Sequence, residues 1–223
     1  FIKASAISRE FAKNNFNNDR KIEELIIHTG QHFDKNMSEC FFNDLNIPKP
    51  IENLSIGGKS HGAGTGQMII EIEKRLIKYK PDHLLVYGDT NTTLAAAIAA
   101  SKLNLSILHI ESGLRSYNRF QPEEKNRVIT DYLSNVCFAP TDLAVKNLEK
   151  ENIPSDRIFR SGDIMKDVFR IFKKNIDSKV DIIKKLKLDK SNYCLMTIHR
   201  EENTNNKILL ENILKSINSI DIP

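Results

Sequence analysis

The chain has 223 residues, 40% of them hydrophobic and 28% charged, enough apolar material to bury the core of one large or two small domains. Its net charge of +4 is modest, and Lys and Arg are spread along helical segments rather than gathered in a stripe with interleaved aromatics, which excludes nucleic acid and leaves a small anionic partner compatible. Cys40, Cys137 and Cys194 are far apart and lack metal-ligand spacing, and no apolar run has the length of a membrane span or the form of a signal peptide, so the expectation is a reduced, cytoplasmic protein with its cysteines packed as small hydrophobes.

The chain opens directly on a helical pattern of Ile2, Ile7 and Phe11, without an initiator Met or the strand such a helix would follow, and it stops at Pro223 where another strand would be due. Both ends read as cut. Residues 24–28 form a short apolar strand ending in the polar loop Thr29-Gly-Gln-His-Phe-Asp34, then come a short helix around 37–45 and a connection containing Pro48 and Pro50. The run Gly57-Gly-Lys-Ser-His-Gly-Ala-Gly64 contains Gly-Lys-Ser, but it lacks the leading Gly of a phosphate loop and no strand leads into it, so it reads as a flexible loop. Met68, Ile69, Ile72, Leu76 and Ile77 mark one face of a helix over 67–79.

The clearest unit follows: a strand at 84–87, the turn Gly88-Asp-Thr-Asn-Thr-Thr93, an Ala-rich helix at 94–103 and a strand at 105–110, which together make a right-handed parallel crossover. Strands at 136–139 and 157–160 flank a helix at 142–151 and continue the series. Serial crossovers define an α/β fold with a doubly wound parallel sheet, whose ligands bind outside the carboxyl ends of the strands. The loops carrying Gln31, Asp89, Glu111 and Asp163 all fall at that edge. Residues 1–168 therefore read as a Rossmann-like domain lacking its first strand, 169–190 as a Lys-rich helical connection, and 191–223 as the start of a truncated second domain. That second domain opens with a strand at 193–198, the turn His199-Arg-Glu-Glu-Asn203 and a helix marked by Leu209, Leu210, Ile213, Leu214 and Ile217.

From His109 to Arg127 an apolar strand runs into a burst of His, Glu and Arg, and Pro122-Glu-Glu has the form of a helix start. Asp89, Glu111 and Glu123 converge on one crevice, where neighbouring like charges are set up to divide into an acid and a base, so proton transfer is the inference. Arg115, Arg127, His199 and Arg200 carry the donors to neutralise a phosphate or diphosphate. Plainer roles stand beside these: Asp89 as the N-cap of the following helix, Glu123 as a first-turn partner of the helix dipole, and His109 as a satisfied core histidine. His109 and Glu111 share a strand face and with Asp89 would offer a metal site, a reading that ranks below the core histidine. His28, His61 and His83 read as structural or solvated. The residues alone reach a small-molecule enzyme that moves a proton.

Gly88-Asp-Thr, His109-Ile-Glu-Ser-Gly-Leu-Arg-Ser, Pro122-Glu-Glu-Lys-Asn-Arg and Thr197-Ile-His-Arg-Glu-Glu-Asn, in register with Thr29-Gly-Gln-His and Ser161-Gly-Asp, resemble the signature blocks of the non-hydrolysing UDP-N-acetylglucosamine 2-epimerases. The resemblance implies a two-domain fold of the GT-B type, with the second domain truncated here, and interconversion of UDP-N-acetylglucosamine and UDP-N-acetylmannosamine without a metal or redox cofactor. In that family proton removal at sugar carbon 2 is coupled to departure of UDP, a 2-acetamidoglucal forms, and UDP adds back. Carried over by position, Asp89, Glu111 and Glu123 match the acid/base carboxylates and His199 the histidine at the diphosphate. Gln31, His32, Arg115, Asn126, Arg127 and Arg200 are carried over as substrate-binding or site-supporting residues, and a homodimer is implied. The family's Gly-Thr-Arg-Pro loop would lie just before Phe1 and most uridine contacts beyond Pro223, so this chain alone is expected to be inactive or nearly so. Ser60-His61-Gly62 replaces a basic position of the family and leaves room for a relative acting on a UDP-diacetamido uronic acid. A GT-B glycosyltransferase and a non-catalytic nucleotide-sugar-binding remnant are the remaining readings.

Overall fold

The structure, a computed structural model, describes residues 1–17, 21–30, 42, 44–179, 182–188, 193–198 and 201–220. It divides into two compact units, Phe1–Phe172 and Lys173–Pro223. The break falls within helix Ile164–Lys179, inside the stretch read from the sequence as a connection.

The first unit begins with α1 (Ile2–Asn17), followed by the two-residue strands β1 (Ile27–His28) and β2 (Glu52–Asn53), which pair in parallel. Backbone bonds extend that pairing beyond the strands: Ile51 N donates to Ile26 O at 2.9 Å, and Leu54 N and Ile56 N donate to His28 O and Thr29 O at 2.8 Å each. Then come α2 (His61–Tyr79), β3 (His83–Tyr87), α3 (Asn91–Lys102), β4 (Ser106–Ile110), α4 (Pro122–Leu133), β5 (Val136–Ala139), α5 (Asp142–Lys150), a 3-10 turn at Ser155–Arg157, β6 (Ile158–Arg160) and α6 (Ile164–Lys179). Strands β3 to β6 form one sheet in chain order, all parallel. The α/β class and parallel sheet expected from the alternating pattern are what forms.

Side-chain alternation along the strands builds the two apolar layers. Leu85, Tyr87, Ile110 and Phe138 pack on one face with Ala6 and Ile7 of α1 and Ile164, Val168, Ile171 and Phe172 of α6. On the opposite face Val86 and Ile107 are buried with Met68, Ile72 and Leu76 of α2 and five alanines of α3. Cys137 and Ala139 of β5 meet Ala144 and Leu148 of α5. Burial pushes the Cys137 thiol up to about 12, so this cysteine behaves as the small hydrophobe its sequence setting implied.

Several elements depart from the sequence reading. Helix α2 begins at His61, ahead of the expected 67, and so includes Gly62, Gly64 and Gly66. Each glycine costs a helix about 1 kcal/mol relative to alanine, yet Gly64 is buried on the face shared with Met68 and Ile72, and tertiary packing overrides propensity. Strand β2 is a polar Glu-Asn pair without apolar alternation, which is why its pattern gave no signal. Of the helix expected at 37–45, positions 42 and 44 are helical and 45 is a turn, while its other positions, Cys40 among them, lie outside the described residues. In the second unit α7 (Ile182–Lys185), α8 (Glu201–Thr204) and α9 (Lys207–Asn218) are helical, and Asn206 caps α9 by accepting from Ile208 N and Leu209 N at 3.1 and 3.2 Å. Residues 193–198 are not a strand. A strand exists only within a hydrogen-bonded ladder, and among the described residues no segment pairs with this run. No helix among the described residues is long and apolar enough to cross a membrane.

The loop after β4 is pressed onto α5 at Gly113, whose φ is +79 and whose absent Cβ would lie 2.4 Å from the Ala144 carbonyl oxygen and 2.9 Å from its carbon. Both the left-handed backbone and the backbone clash oppose a side chain. Gly113→Ala is expected to cost about 3 kcal/mol or more. Gly58→Ala, with φ +70 but open space around it, should cost only about 1 kcal/mol. Urea unfolding of the two variants measures the difference.

Candidate active site

Strands β3 and β4 pair residue for residue from His83↔Ser106 to Tyr87↔Ile110, and Gly88 N then donates to Ile110 O at 3.0 Å. The loops carrying Asp89 and Glu111 therefore leave side by side at the carboxyl edge of the sheet. Glu111 has φ +76, a left-handed conformation that costs a non-glycine residue roughly 1–3 kcal/mol and clusters at functional sites. The turn also breaks the strand's alternation. His109 reaches toward α4, whereas Glu111 meets Lys3 of α1, whose ammonium donates to Glu111 Oε2. Gly88, at φ +64, makes room for this pair: a Cβ there would lie 3.1 Å from Lys3 Nζ and 3.2 Å from Glu111 Oε2. The shared face assumed for His109 and Glu111 in the metal reading is thus corrected by the positive φ at Glu111. Among the described residues no three His, Cys, Asp or Glu side chains come together to hold a metal ion.

Asp89 is not the N-cap of α3. That role falls to Thr90, whose Oγ1 accepts from Thr93 N at 3.3 Å, and the Asp89 carboxylate is left to accept from Arg127 Nη2 at 2.5 Å. Asn126 donates to the Asp89 carbonyl at 2.8 Å and to Asn91 Oδ1 at 3.1 Å, while Asn91 Nδ2 meets His61 Nδ1 at 3.0 Å. Where expected like charges would face one another, Asp89 and Glu111 each face a cation instead. Glu123 sits exposed on the first turn of α4.

The neighbouring Glu124 is buried and gathers the loop that leads into its own helix. It accepts from Ser116 N and Tyr117 N, both at 2.9 Å, from Ser116 Oγ at 3.0 Å, and from Arg127 Nη1 at 3.1 Å. Burial works against its ionisation, but the two backbone N–H groups, the Ser116 hydroxyl and Arg127 outweigh it and hold the carboxyl below the ordinary glutamate range. The other end of the loop is tied through Asn147 of α5, which donates to Gly113 O at 2.9 Å and accepts from Tyr117 Oη at 2.8 Å. Leu114, Ser116, Arg127, Thr141, Leu143 and Asn147 are among the residues lining a cavity of about 280 Å³ beside it.

Beneath the loop lies a buried ionic cluster. His109 Nδ1 is 2.7 Å from Asp131 Oδ1 and its Nε2 is 2.7 Å from Gly88 O. Asp131 Oδ2 accepts from Gly113 N at 3.0 Å and lies 2.8 Å from Arg115 Nη2. Arg115 continues to Glu151, at 2.7 Å from Nε and 2.5 Å from Nη2, and donates to Leu114 O at 2.7 Å. Its side chain is 1% exposed, so the guanidinium that the sequence offered to a phosphate is committed to protein acceptors. Burial raises Asp131, but the His109 hydrogen bond and charge, the Arg115 charge and the Gly113 N–H hold it below the ordinary aspartate range. His109 is the satisfied core histidine.

Gln31, His32, His199 and Arg200 lie outside the described residues. Asp163, at the same sheet edge, accepts from Met165 N at 2.8 Å at the start of α6. Sequence reasoning passed over Lys3, Glu124 and Asp131. The signal for the last two was present: Glu124, Arg127 and Asp131 recur at i, i+3 and i+7, the spacing of one helix face, where an apolar stripe is the norm.

Residues 14–223 match the family model of UDP-N-acetylglucosamine 2-epimerase. The chain belongs to this epimerase family. A protein described as a UDP-N-acetylglucosamine 2-epimerase homolog from Methanococcus maripaludis is 49% identical over 217 residues, covering 97% of this chain and 58% of its own length. The UDP-2,3-diacetamido-2,3-dideoxy-D-glucuronate 2-epimerase of Pseudomonas aeruginosa is 44% identical over 224 residues, covering 100% of this chain and 60% of its own. Among solved structures, the Methanocaldococcus jannaschii UDP-GlcNAc 2-epimerase in complex with UDP-GlcNAc and UDP superposes with a TM-score of 0.86 at 45% identity, over 97% of this chain and 58% of that one. The chain thus spans 58% to 60% of the length of these three relatives.

In this member of the epimerase family Glu124 ties the site loop to acid stability. Its folded-state value is depressed, so folding favours the ionised form; that stabilisation is full above the ordinary value of 4.5 and is lost as pH falls through the depressed one. Glu124→Gln should therefore lower unfolding free energy at neutral pH, with the gap to the unsubstituted protein closing as pH falls below the ordinary glutamate value and through the depressed one. A series of urea titrations across that range measures it.

Proposed function

We propose that the full-length protein interconverts UDP-N-acetylglucosamine and UDP-N-acetylmannosamine. The observation that carries the reading is Glu111, held in a left-handed backbone conformation against Lys3 and beside the Asp89–Arg127 pair, at the edge where adjacent parallel strands end. The names of the family and of its relatives support the same class of reaction.

A proton on sugar carbon 2 is only weakly acidic, so its removal needs a positioned carboxylate and a departing anion. In this reading the C2–H bond breaks toward a carboxylate as the C1–O bond breaks toward UDP, leaving a C1–C2 double bond in a 2-acetamidoglucal. Reprotonation from the other face and return of UDP to carbon 1 complete the inversion. The sequence of steps is redox-neutral and calls for no redox cofactor. Asp89, Glu111 and Glu123 take the acid and base roles, with Arg127 paired to Asp89 and Lys3 to Glu111 before substrate arrives. His199 and Arg200 stabilise the diphosphate charge as it leaves, Gln31 and His32 contact the substrate, and Asn126 fixes the Asp89 turn. Arg115 acts on the substrate only through the loop it anchors. The protein works as a homodimer in the cytoplasm.

A second reading rests on the Pseudomonas aeruginosa relative, which matches over the whole of this chain: the same elimination and re-addition on a UDP-diacetamido uronic acid.

Proton NMR of the full-length protein in deuterated buffer tests both, with UDP-N-acetylglucosamine and the uronic acid nucleotide in separate tubes. Deuterium at carbon 2 and appearance of the manno isomer in the first tube is the expected result, and turnover of the second alone selects the other sugar. Bound UDP without exchange in either tube overturns the epimerase reading. Asp89→Asn, Glu111→Gln and Glu123→Gln should each lower kcat by about 10²–10⁴-fold.

A further inference from the structure

We propose that Asp131, a residue buried one layer below the surface of the site, is the positioning residue that sets Asp89 and Glu111 relative to one another. The inference rests on the proposed epimerase reading for its chemistry, and on geometry alone for its mechanics. One carboxylate makes three connections. Through Oδ1 it holds His109, whose other nitrogen reaches the Gly88 carbonyl at 2.7 Å, one residue before Asp89. Through Oδ2 it holds Gly113 N at 3.0 Å and Arg115 at 2.8 Å.

His109, Gly113 and Arg115 straddle Glu111. The last residue of β4 proper is Ile110, and the left-handed turn at Glu111 is stored strain that survives only if the chain on both sides is fixed. Asp131 fixes it on both sides, and the same group reaches the adjacent strand's turn through His109. The two candidate carboxylates are therefore referenced to a common buried point rather than to each other.

The chemistry of the link is specific. Both partners of the His109 ring, a carboxylate and a carbonyl, are acceptors, so the ring satisfies both only by donating from both nitrogens. A charged ring with 0% exposure requires a buried counter-charge, and Asp131 supplies it. Arg115 is balanced in turn by Glu151, whose side chain is 33% exposed. An asparagine at 131 would keep the shape and could still accept from Gly113 and Arg115, but its amide would point an N–H at His109 Nδ1. The ring would then give up its Nδ1 proton and hold Gly88 by an uncharged bond, weaker by roughly half.

The test is Asp131→Asn in the full-length protein, read by steady-state kinetics and by nitrogen-15 NMR of labelled histidine. Both His109 nitrogens should carry protons in the unsubstituted protein, and the variant should lose the one on Nδ1 alone. Because a displacement of about 1 Å costs on the order of 100-fold in rate, kcat should fall by about that factor while KM stays within about threefold. His109→Gln, which separates Gly88 from Asp131, should lower kcat similarly and serves if the first variant does not fold. A singly protonated ring in the unsubstituted protein overturns the proposal, as does unchanged kcat in the folded fraction of either variant. If the unsubstituted protein exchanges no proton at carbon 2, the epimerase reading fails separately. The mechanical claim is then decided by the amide resonances of Gly88, Asp89 and Glu111, which must move in the folded variant and overturn the proposal if they do not.

Discussion

Tyr87 and Ile110 are ladder partners, and the chains that leave them start only about 4.8 Å apart, the spacing of neighbouring strands. A slip of one residue in that register would turn every side chain of β4 to the other face of the sheet. His109 would then point toward α1 and Ile110 toward α4. The register is held by burial on both faces, with Ile107 among the helices of one layer and Ile110 against α1 and α6 in the other. What happens at the edge of the sheet is thus decided in its core.

Charge is handled differently at different depths. On the surface, Lys13 pairs with Glu10 and Arg160 with Asp142; exposed pairs of this kind contribute about 1 kcal/mol or less. The His109–Asp131–Arg115 cluster is of another sort, since its charges lie away from water and depend on one another for compensation. Between the two lie the half-buried pairs Lys3–Glu111 and Arg127–Asp89. These are deep enough to be ordered and open enough for an incoming anion to compete for the cation.

Much of the first unit was legible because its elements carry periodic patterns. Strand β5 falls at 136–139 and α5 begins at Asp142 as read, and α4 starts at Pro122 where proline at the first turn announces it. The residues that line the candidate site were legible as types in loops at a sheet edge. Their partners were not, because a partner is a long-range fact: Lys3 meets Glu111 across 108 positions and Arg127 meets Asp89 across 38. Asp89 shows the limit most clearly. An aspartate just ahead of a helix reads as its cap, and only coordinates reveal that the next residue, Thr90, has taken the cap and released it. The run 193–198 shows the reverse case, an apolar stretch with strand character that has no ladder neighbour among the described residues.

The alanines of α3 bear on how this unit can change shape. Ala95, Ala97, Ala99 and Ala100 are all 0% exposed, so the helix backbone itself, without long side chains as padding, forms the contact surface with its neighbours. Such a surface has no rotamers to rearrange, and sliding it would open voids at once. The amino end of α3, with Asn91 and Thr92 reaching Asn126 and Thr29, is therefore as stiff as the sheet. A fluorescent or spin-label reporter of ligand binding therefore belongs not on α3 but on the exposed positions 118–120 of the neighbouring loop.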